Sequence, residues 1–249
     1  MRLFEGDAIL LAGGTGRVGG ATLATLVSEG ARVLVVSRSL DRAQAAIDGV
    51  LDDAESAAAI PFAADLGDPE QAAAAVDALV ERFGRIDALV NLAGSGIGAT
   101  PLAGSTSRDL QANLAAFATT AYHLTMPALR AMLAQPYRDG ARSRGRIVTV
   151  TAGSSKDPAP GRGLFAVAKA GVNALMQAVA REHKADGIVA NALVLGGVAT
   201  EAARGYLDAT DFAAAATPQE VADALVFLAS DRGSGINGAL VDLNAREVD

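Results

Sequence analysis

The chain has 249 residues, of which 51% are hydrophobic, and a formal net charge of −7 at pH 7. These values predict one α/β domain over residues 1–249. The acidic balance argues against nucleic acid or a membrane surface as partner, so we expect a small-molecule ligand. We expect a cytoplasmic location because no apolar segment is as long as a membrane span and residues 1–7 lack a signal-peptide pattern. The absence of cysteine excludes disulfides and thiol chemistry, and two isolated histidines predict no metal site.

The first predicted element is a buried strand that leads into a glycine-rich turn. Ala8–Ala12 are uniformly apolar, as expected for a central parallel strand, and an apolar helical pattern resumes over 21–27. A turn of this kind lets the backbone approach a pyrophosphate at the N-terminus of the next helix, although a tight loop without a ligand is the alternative. The predicted dinucleotide site begins here, with Gly13, Thr15, Gly16, Arg17, Val18 and Gly19.

The second predicted strand, residues 33–36, ends in Ser37 and Arg38. In a dinucleotide-binding fold the side chain at this point contacts the adenosine ribose, where a carboxylate would accept from a free 2′-hydroxyl. The Arg38 guanidinium suits a 2′-phosphate instead, with the Ser37 hydroxyl beside it and Arg17 adding charge nearby. We therefore expect NADP(H) rather than NAD(H); the alternative is that both arginines are solvated surface residues.

Two further predicted strands end in residues that we place in the same site. The strand over 57–64 is followed by Asp65 and Leu66, and Asp65 is positioned either to bind an adenine amino group or to cap the helix over 71–82. The strand over 88–93 leads into a second glycine cluster on the rim where open α/β sheets bind ligands. From this strand and cluster we assign Asn91, Ala93 and Gly94 to the cofactor.

Strands and helices alternate through the rest of the chain. We predict helices over 110–134, interrupted only by Pro127, over 165–180 and over 218–230, strands over 147–150, 193–195 and 239–243, and a polar surface loop over 135–145. This alternation predicts a Rossmann-type doubly wound fold, a seven-stranded mostly parallel sheet with helices on both faces. The helices over 110–134 and 165–180 are apolar around most of their circumference, so we expect a homodimer or homotetramer built through them.

Several segments resemble the short-chain dehydrogenase/reductase family, and the resemblance covers nearly the whole chain. NLAG at 91–94 is similar to the family's NNAG, GRIVTVT at 145–151 to the strand before its catalytic serine, and AVAKAGVNALMQAVARE at 166–182 to the segment after its catalytic tyrosine. NALVLGGVAT at 191–200 and PQEVADALVFLASD at 218–231 match later family segments. The resemblance implies that Gly196, Val198, Thr200 and Lys169 contact the cofactor.

The family's chemistry uses an asparagine, a serine, a tyrosine and a lysine, and only two of these are present. Asn113 and Lys169 match the asparagine and the lysine, whereas Phe165 and Ala152 stand where the tyrosine and the serine are expected. Phenylalanine has no exchangeable proton and cannot act as a general acid or base. Ordinary carbonyl reduction is therefore not expected.

Substitutes for the missing groups lie nearby in the sequence. Thr151, Ser154 or Ser155 offer a hydroxyl that can orient a substrate, Lys169 can act through a water if burial lowers its pKa, and Tyr206 belongs to the segment over the substrate. That segment, between residues 200 and 218, is too short for the pair of helices that many relatives fold over substrate, which favours a bulky or carrier-bound substrate.

Three functions remain open from the sequence. The first is an NADP(H)-binding oxidoreductase that either acts on a substrate needing little acid catalysis, such as an activated alkene, or uses a substitute proton donor. The second is a catalytically inactive dinucleotide-binding sensor or partner subunit. The third is a non-redox dehydratase or isomerase that uses the same pocket.

Overall fold

The computed structural model describes residues 2–94, 98–205 and 209–243. Its strands are β1 Ala8–Ala12, β2 Arg32–Ser37, β3 Ala59–Ala63, β4 Ala88–Asn91, β5 Gly145–Ala152, β6 Ile188–Leu195 and β7 Leu240–Leu243. They form one seven-stranded sheet in the order β3-β2-β1-β4-β5-β6-β7, and every neighbouring pair is parallel. The predicted doubly wound fold class is confirmed.

Helices cover both faces of this sheet. They are α1 Arg17–Ser28, α2 Leu40–Asp48, α3 Asp53–Ser56, α4 Pro69–Phe83, α5 Ser107–Asn113, α6 Thr120–Ala134, α7 Gly163–Glu182, α8 Ala209–Ala214 and α9 Pro218–Ala229. One apolar core lies between the sheet and α1, α2 and α9, and the other lies between the sheet and α4, α6 and α7. Both faces of the central strands are buried, which explains why they are apolar without alternation.

The strand order places a crevice beside β1. The chain runs outward from β1 to β3 on one side, then crosses back so that β4 pairs with the other side of β1. In open parallel sheets the crevice outside the carboxyl ends of the strands at such a reversal is where ligands bind. The glycine turn after β1 and the segment after β4 up to Gly94 therefore lie side by side.

The helical stretch predicted over 110–134 is divided differently from expectation. Pro127 lies inside α6 without ending it, and the interruption is instead a π-helical segment, Leu114–Thr119, between α5 and α6. The Thr120 hydroxyl donates to the carbonyl of Ala115, five residues earlier, at 2.8 Å. A π-helical turn adds one residue without breaking the helix, so it leaves no mark in an apolar sequence pattern.

Other element boundaries also needed correction. β3 begins later than predicted because Asp52 caps the short helix α3, with Glu55 completing a capping box. Gly145 opens β5 instead of closing the polar loop, and β6 extends well before the predicted 193–195. The final helix begins at Pro218 as predicted and is capped by Thr217.

The segment between residues 200 and 218 contains two short helical pieces. They are a 3₁₀ segment of five residues, Glu201–Gly205, and the six-residue α8. Neither of these two described pieces reaches two turns of α-helix. Tyr206, proposed from the sequence as a substitute proton donor, lies outside the described residues.

By length and hydropathy, α7 is the one described helix that could cross a membrane. Half of that stretch is buried inside the molecule, where α7 packs on β5 and β6. A core helix of an α/β fold meets the same criteria of length and composition, so these criteria alone are weak evidence that α7 spans a membrane.

Candidate active site

The glycine turn brings the backbone of β1 close to the segment after β4. Gly13 has φ +80°, and a Cβ atom there would lie 2.8 Å from the carbonyl carbon of Leu92. A Cβ on Gly19 would lie 2.4 Å from the Gly13 carbonyl oxygen, so only glycine allows α1 to start this close to the turn. Gly16 caps α1 without a side-chain hydrogen bond, and the first turn holds no acidic residue. The helix N-terminus therefore presents backbone N–H donors to an anion.

Two clefts open on either side of this turn. The cleft that we call the turn cleft, of about 590 Å³, is lined by Gly13, Thr15, Gly16, Arg17, Val18, Gly19, Leu92, Ala93, Gly94, Val150, Leu195, Thr200 and Glu201. The predicted residues Arg17, Val18 and Thr200 are thus brought together with the glycines. Leu195 and Glu201 were not assigned to the site from the sequence.

The second cleft, which we call the arginine cleft, has a volume of about 430 Å³. Its polar end contains Ser37, Arg38 and Asp65, all predicted from the sequence, together with Arg42. Arg42 lies in the first turn of α2, and the sequence analysis missed it. Within the described part of the chain neither guanidinium forms an ion pair, so the two positive charges are available to a ligand.

Asp65 does not cap the following helix, and that alternative is wrong. The cap of α4 is Asp68, whose carboxylate accepts from the N–H groups of Glu70 and Gln71. Asp65 is exposed, and its Oδ1 accepts from the Gly67 N–H at 2.9 Å. Its carboxylate therefore borders the arginine cleft, as does the buried Leu66 beside it.

The two clefts share a wall formed by Gly13, Thr15, Ala93 and Gly94. Asn91 stands behind this wall, buried at the end of β4, and its Oδ1 accepts from the Ala93 N–H at 2.9 Å. Its Nδ2 is buried and has no hydrogen-bond partner among the described residues. Asn91 thus shapes the wall from behind, since it lines neither cleft.

Lys169 lies on the buried face of α7, and its Nζ donates to the carbonyl oxygen of Val150 at 3.0 Å. The Nζ lies 4.8 Å from the centroid of the Phe117 ring and 6.0 Å from that of Phe165. Burial lowers the pKa of Lys169 from 10.5 to about 8 because the charged ammonium is poorly solvated there. Val150 lines the turn cleft, so the amine lies one hydrogen bond behind its wall.

Phe165 packs edge-on to Phe117, with ring centroids 5.0 Å apart and an interplanar angle of 80°. Phe117 belongs to the π-helical segment, and its ring also presses on the shared wall, because a Cβ on Gly94 would lie 2.9 Å from it. The sequence analysis missed Phe117, since an apolar residue in an apolar helix carries no distinguishing signal. The two rings give the region around Lys169 an apolar lining.

The hydroxyl groups considered as substitutes are placed unequally. Thr151 is 2% exposed, and its hydroxyl has no partner among the described residues. Ser154 is half-buried in the 3₁₀ turn after β5, next to Ser155, whose hydroxyl accepts from Asn173 Nδ2 at 2.8 Å. Ala152, at the end of β5, offers a methyl group where the resemblance places a serine.

Asn113 is the last residue of α5, immediately before the π-helical segment that carries Phe117. It is buried, and its Nδ2 donates to the carbonyl of Asp109 at 2.9 Å.

Backbone hydrogen bonds of Gly196 and Val198 hold the loop after β6. The Gly196 N–H donates to the Leu243 carbonyl, and the Val198 carbonyl accepts from the Thr200 N–H. Thr200 lines the turn cleft, whereas Asn113, Gly196 and Val198 line neither of the two clefts.

Histidine and carboxylate side chains do not converge near these clefts. Across 2–94, 98–205 and 209–243, no group of three such side chains is arranged to hold a metal ion. The polar groups at hand are backbone amides, arginines, a lysine and hydroxyls. This set binds phosphates and a sugar, which fits a dinucleotide.

Comparison with known proteins agrees with this geometry. The sequence profile described as short chain dehydrogenase matches residues 7–210. The chain belongs to the short-chain dehydrogenase family. It is an oxidoreductase family whose members bind NAD(P)(H) and act on small molecules.

Two relatives illustrate the range of reactions in the family. The A-factor type gamma-butyrolactone 1'-reductase (1S-forming) of Streptomyces virginiae is 30% identical over 92% of this chain and 91% of its own. A probable 2,4-dienoyl-CoA reductase of Caenorhabditis elegans is 27% identical over 97% of this chain and 80% of its own. Both names describe reductases.

A solved structure agrees with the fold. A short-chain type dehydrogenase/reductase from Mycobacterium ulcerans superposes with a TM-score of 0.86 over 99% of this chain and 93% of its own, at 23% identity. At this identity the likeness supports the fold alone.

Proposed function

We propose that this short-chain dehydrogenase uses NADP(H) to reduce an electron-poor carbon–carbon double bond conjugated to a carbonyl group. It would do so as one cytoplasmic dinucleotide-binding domain over residues 1–249. The observation that carries the proposal is the contact of Phe165 with Phe117 beside Lys169. It leaves a phenyl ring, and no phenolic hydroxyl, at the position where the resemblance places the family's proton donor, with a cation next to it.

The preference for NADP(H) is supported by the arginine cleft. Arg38 and Arg42 border one cavity with the Ser37 hydroxyl, and neither arginine is paired with an acid in the described part of the chain. A 2′-phosphate carries more negative charge than a hydroxyl and accepts bidentate hydrogen bonds from guanidinium groups. Asp65 lines the same cleft, and we expect its carboxylate to accept from an adenine amino group.

The rest of the cofactor fits along the shared wall. The N–H groups at the start of α1 would hold the pyrophosphate, and Ala93, Gly94 and Thr200 would border the nicotinamide end. Lys169 would turn from the Val150 carbonyl to the nicotinamide ribose when the cofactor binds. When bound, the reduced nicotinamide supplies a hydride.

The missing acid restricts the substrate. Reduction of an isolated ketone leaves an alkoxide that needs a proton at once, and loss of a general acid typically costs about 10²- to 10⁴-fold in rate. Hydride addition to a conjugated alkene instead gives an enolate, in which the charge is delocalised and the carbon can take a proton from water. The positive charge of Lys169, in surroundings of low polarity, stabilises that enolate.

A carrier-bound substrate is favoured by the open side of the crevice. The described helical pieces between residues 200 and 218 are short, and on that ground we expect room for a long or bulky group. A thioester is also an electron-withdrawing carbonyl, and the name of the relative from Caenorhabditis elegans includes a dienoyl-CoA substrate.

The experiment is a fluorescence titration of the purified protein with NADPH and NADH, followed by an assay of nicotinamide absorbance. The assay compares an enoyl thioester, a conjugated aldehyde and a saturated ketone. We expect tighter binding of NADPH and oxidation of NADPH with the conjugated substrates only. Binding without turnover would favour the sensor or partner-subunit function, turnover without loss of NADPH would favour a dehydratase or isomerase, and no binding would overturn the proposal.

A further inference from the structure

Two charged side chains of opposite sign line the turn cleft. Arg17 is the first residue of α1, and Glu201 is the first residue of the 3₁₀ segment that follows Thr200. The chain reaches Arg17 from β1 and Glu201 from β6, and β4 and β5 lie between these two strands in the sheet. Adjacent strands are about 4.8 Å apart, so the strands that lead to the two charges are separated by roughly 14 Å. The cleft therefore has a positive side at the glycine turn and a negative side at Glu201.

A dinucleotide fits this division of charge in one orientation. Its phosphates are anions, which the N–H groups at the start of α1 and the Arg17 guanidinium attract, whereas the Glu201 carboxylate repels them. Its one positive charge is on the nicotinamide ring and is present only when that ring is oxidised. The apolar side chains of Val150 and Leu195 line the cleft on the side of β5 and β6 and suit a flat ring. The charge pattern therefore matches Glu201 with the nicotinamide end.

Arg204 holds the carboxylate of Glu201 at the cleft. Its Nε donates to Glu201 Oε2 at 3.3 Å, and its Cζ lies 4.3 Å from the centroid of the Phe212 ring. These contacts join the 3₁₀ segment to α8. The side chains of Arg204 and Glu201 are 61% and 75% exposed, so solvent screens both charges and the expected effect on binding is modest.

We propose that Glu201 binds the oxidised nicotinamide ring in preference to the reduced one and so promotes donation of the hydride. The inference rests on the proposed function, because it assigns a residue to the redox state of the cofactor that this function requires. The juxtaposition that carries it is a carboxylate on the β6 side of a cleft whose opposite side presents Arg17 and a helix N-terminus. Glu201 is a specificity-determining residue toward the cofactor, and Arg204 is its positioning residue.

The electrons of the proposed reduction balance without a further reactant. The hydride leaves the reduced ring with both bonding electrons and adds to the far carbon of the conjugated double bond, and water supplies the proton at the near carbon. The ring thereby gains one positive charge, which the Glu201 carboxylate attracts while it develops. At a centre with Phe165 in place of the tyrosine, this attraction assists the reaction from the donor side. The same attraction slows the release of NADP⁺.

The test is isothermal titration calorimetry of the parent protein and Glu201→Gln with NADP⁺ and with NADPH. Glutamine keeps the shape of the side chain and removes its charge. We expect Glu201→Gln to bind NADP⁺ about two- to fivefold more weakly, the size typical of an exposed charge pair, and to bind NADPH as the parent does. Asp65→Asn is the matched control, because Asp65 lines the arginine cleft and any effect at the adenine end is common to both nucleotides.

A second variant separates charge from structure. Arg204→Gln removes the cation that partly compensates Glu201, so it should raise the affinity for NADP⁺ relative to NADPH. The two variants are thus expected to shift the ratio of the two dissociation constants in opposite directions. Shifts in the same direction would show that the pair only supports the shape of the segment, and would overturn the inference.

The outcomes for Glu201→Gln are distinct. Equally tighter binding of both nucleotides would place the carboxylate beside the phosphates, and unchanged binding of both would show that solvent screens it from the ring; either result overturns the inference. Binding of NADPH by the parent with no change of ratio in the variant would refute the inference alone. A change of ratio without reduction of a conjugated substrate would refute the proposed reaction alone, and failure of the parent to bind either nucleotide would refute both.

Discussion

The ring of Phe165 meets the ring of Phe117 edge to face, with the centroids 5.0 Å apart, and Lys169 lies against both. Phe117 comes from the π-helical segment and Phe165 from the first turns of α7, so the contact joins two elements that each carry a residue of the proposed site. A hydroxyl at position 165 would project from a ring that is already fixed by this contact.

Restoring both family residues should restore carbonyl reduction. We expect the double variant Phe165→Tyr with Ala152→Ser to reduce a saturated ketone with NADPH about 10²-fold faster than the parent, because a general acid is regained. The measurement is the rate of NADPH oxidation at saturating ketone. Ala152→Ser alone is the matched control and should give little gain, since serine orients the substrate but does not donate the proton. A double variant no faster than the parent would contradict the assignment of these two positions.

The two arginines of the arginine cleft should discriminate between nucleotides. Arg38→Ala and Arg42→Ala should each weaken NADPH binding about five- to tenfold, the size expected for one exposed charge-assisted contact, and leave NADH binding unchanged. Arg17→Ala is the control, because Arg17 lines the turn cleft and should affect both nucleotides alike. The readout is the dissociation constant from nicotinamide fluorescence. Equal losses for NADPH and NADH in the Arg42 variant would show that Arg42 does not contact the 2′-phosphate.

Burial of Lys169 should make stability depend on pH. Its pKa is lowered from 10.5 to about 8 in the folded state, so between these values the unfolded chain binds more protons than the folded one. Stability attributable to this lysine therefore rises with pH across that window, by about 3 kcal/mol in total. Chemical denaturation at pH 7.5 and pH 10 measures the change, and Lys169→Met should remove this part of it. The same pH response in the parent and the Met variant would show that the amine is solvated.

The proposed oligomer should form through α6 and α7. Tyr122 is 51% exposed and borders an apolar groove with Gly171, Ala174 and Leu175 on the outer side of these helices. Tyr122→Glu would bury a charge in the subunit contact and should convert a dimer or tetramer to a monomer, as measured by light scattering after gel filtration. Leu40→Glu, at a leucine of α2 that is 53% exposed, is the control and should leave the assembly intact. A monomeric parent would contradict the predicted assembly.

The sequence predicted best where one physical cause dominates. The boundaries of β1 were predicted at Ala8 and Ala12 because a buried apolar run is stopped by glycines that the close approach to Leu92 requires. The doubly wound fold class followed from the alternation of strands and helices, because crossover connections between parallel strands place helices on both faces of the sheet. The assignment of Phe165 and Ala152 to the family's tyrosine and serine positions stays a prediction, which rests on the flanking segments that resemble the family.

Tertiary contacts account for most of what could not be predicted. The sixth strand was predicted too short because Asn191 interrupts its apolar pattern; in the fold its Nδ2 donates to Ile236 and its Oδ1 accepts from the Ala239 N–H, so the polar group is satisfied inside the core. The fifth strand includes Arg146, buried against Asp7 at 2.6 Å. In the sequence, Arg42 is indistinguishable from a solvated arginine in the first turn of a helix. Its role depends on the fold, in which β2, β3 and α2 enclose one cavity that Arg42 lines.

The wall between the two clefts contains Gly13, Thr15, Ala93 and Gly94, and no side chain in it is larger than that of threonine. Because the shared wall is formed by such small residues, a single elongated ligand can extend from one cleft into the other. Each half of that ligand, once seated, holds the other half at a high effective concentration, so the affinities of the halves multiply. A fragment that fills one cleft forfeits this gain, so a site of this shape selects a dinucleotide over a mononucleotide by length as well as by charge.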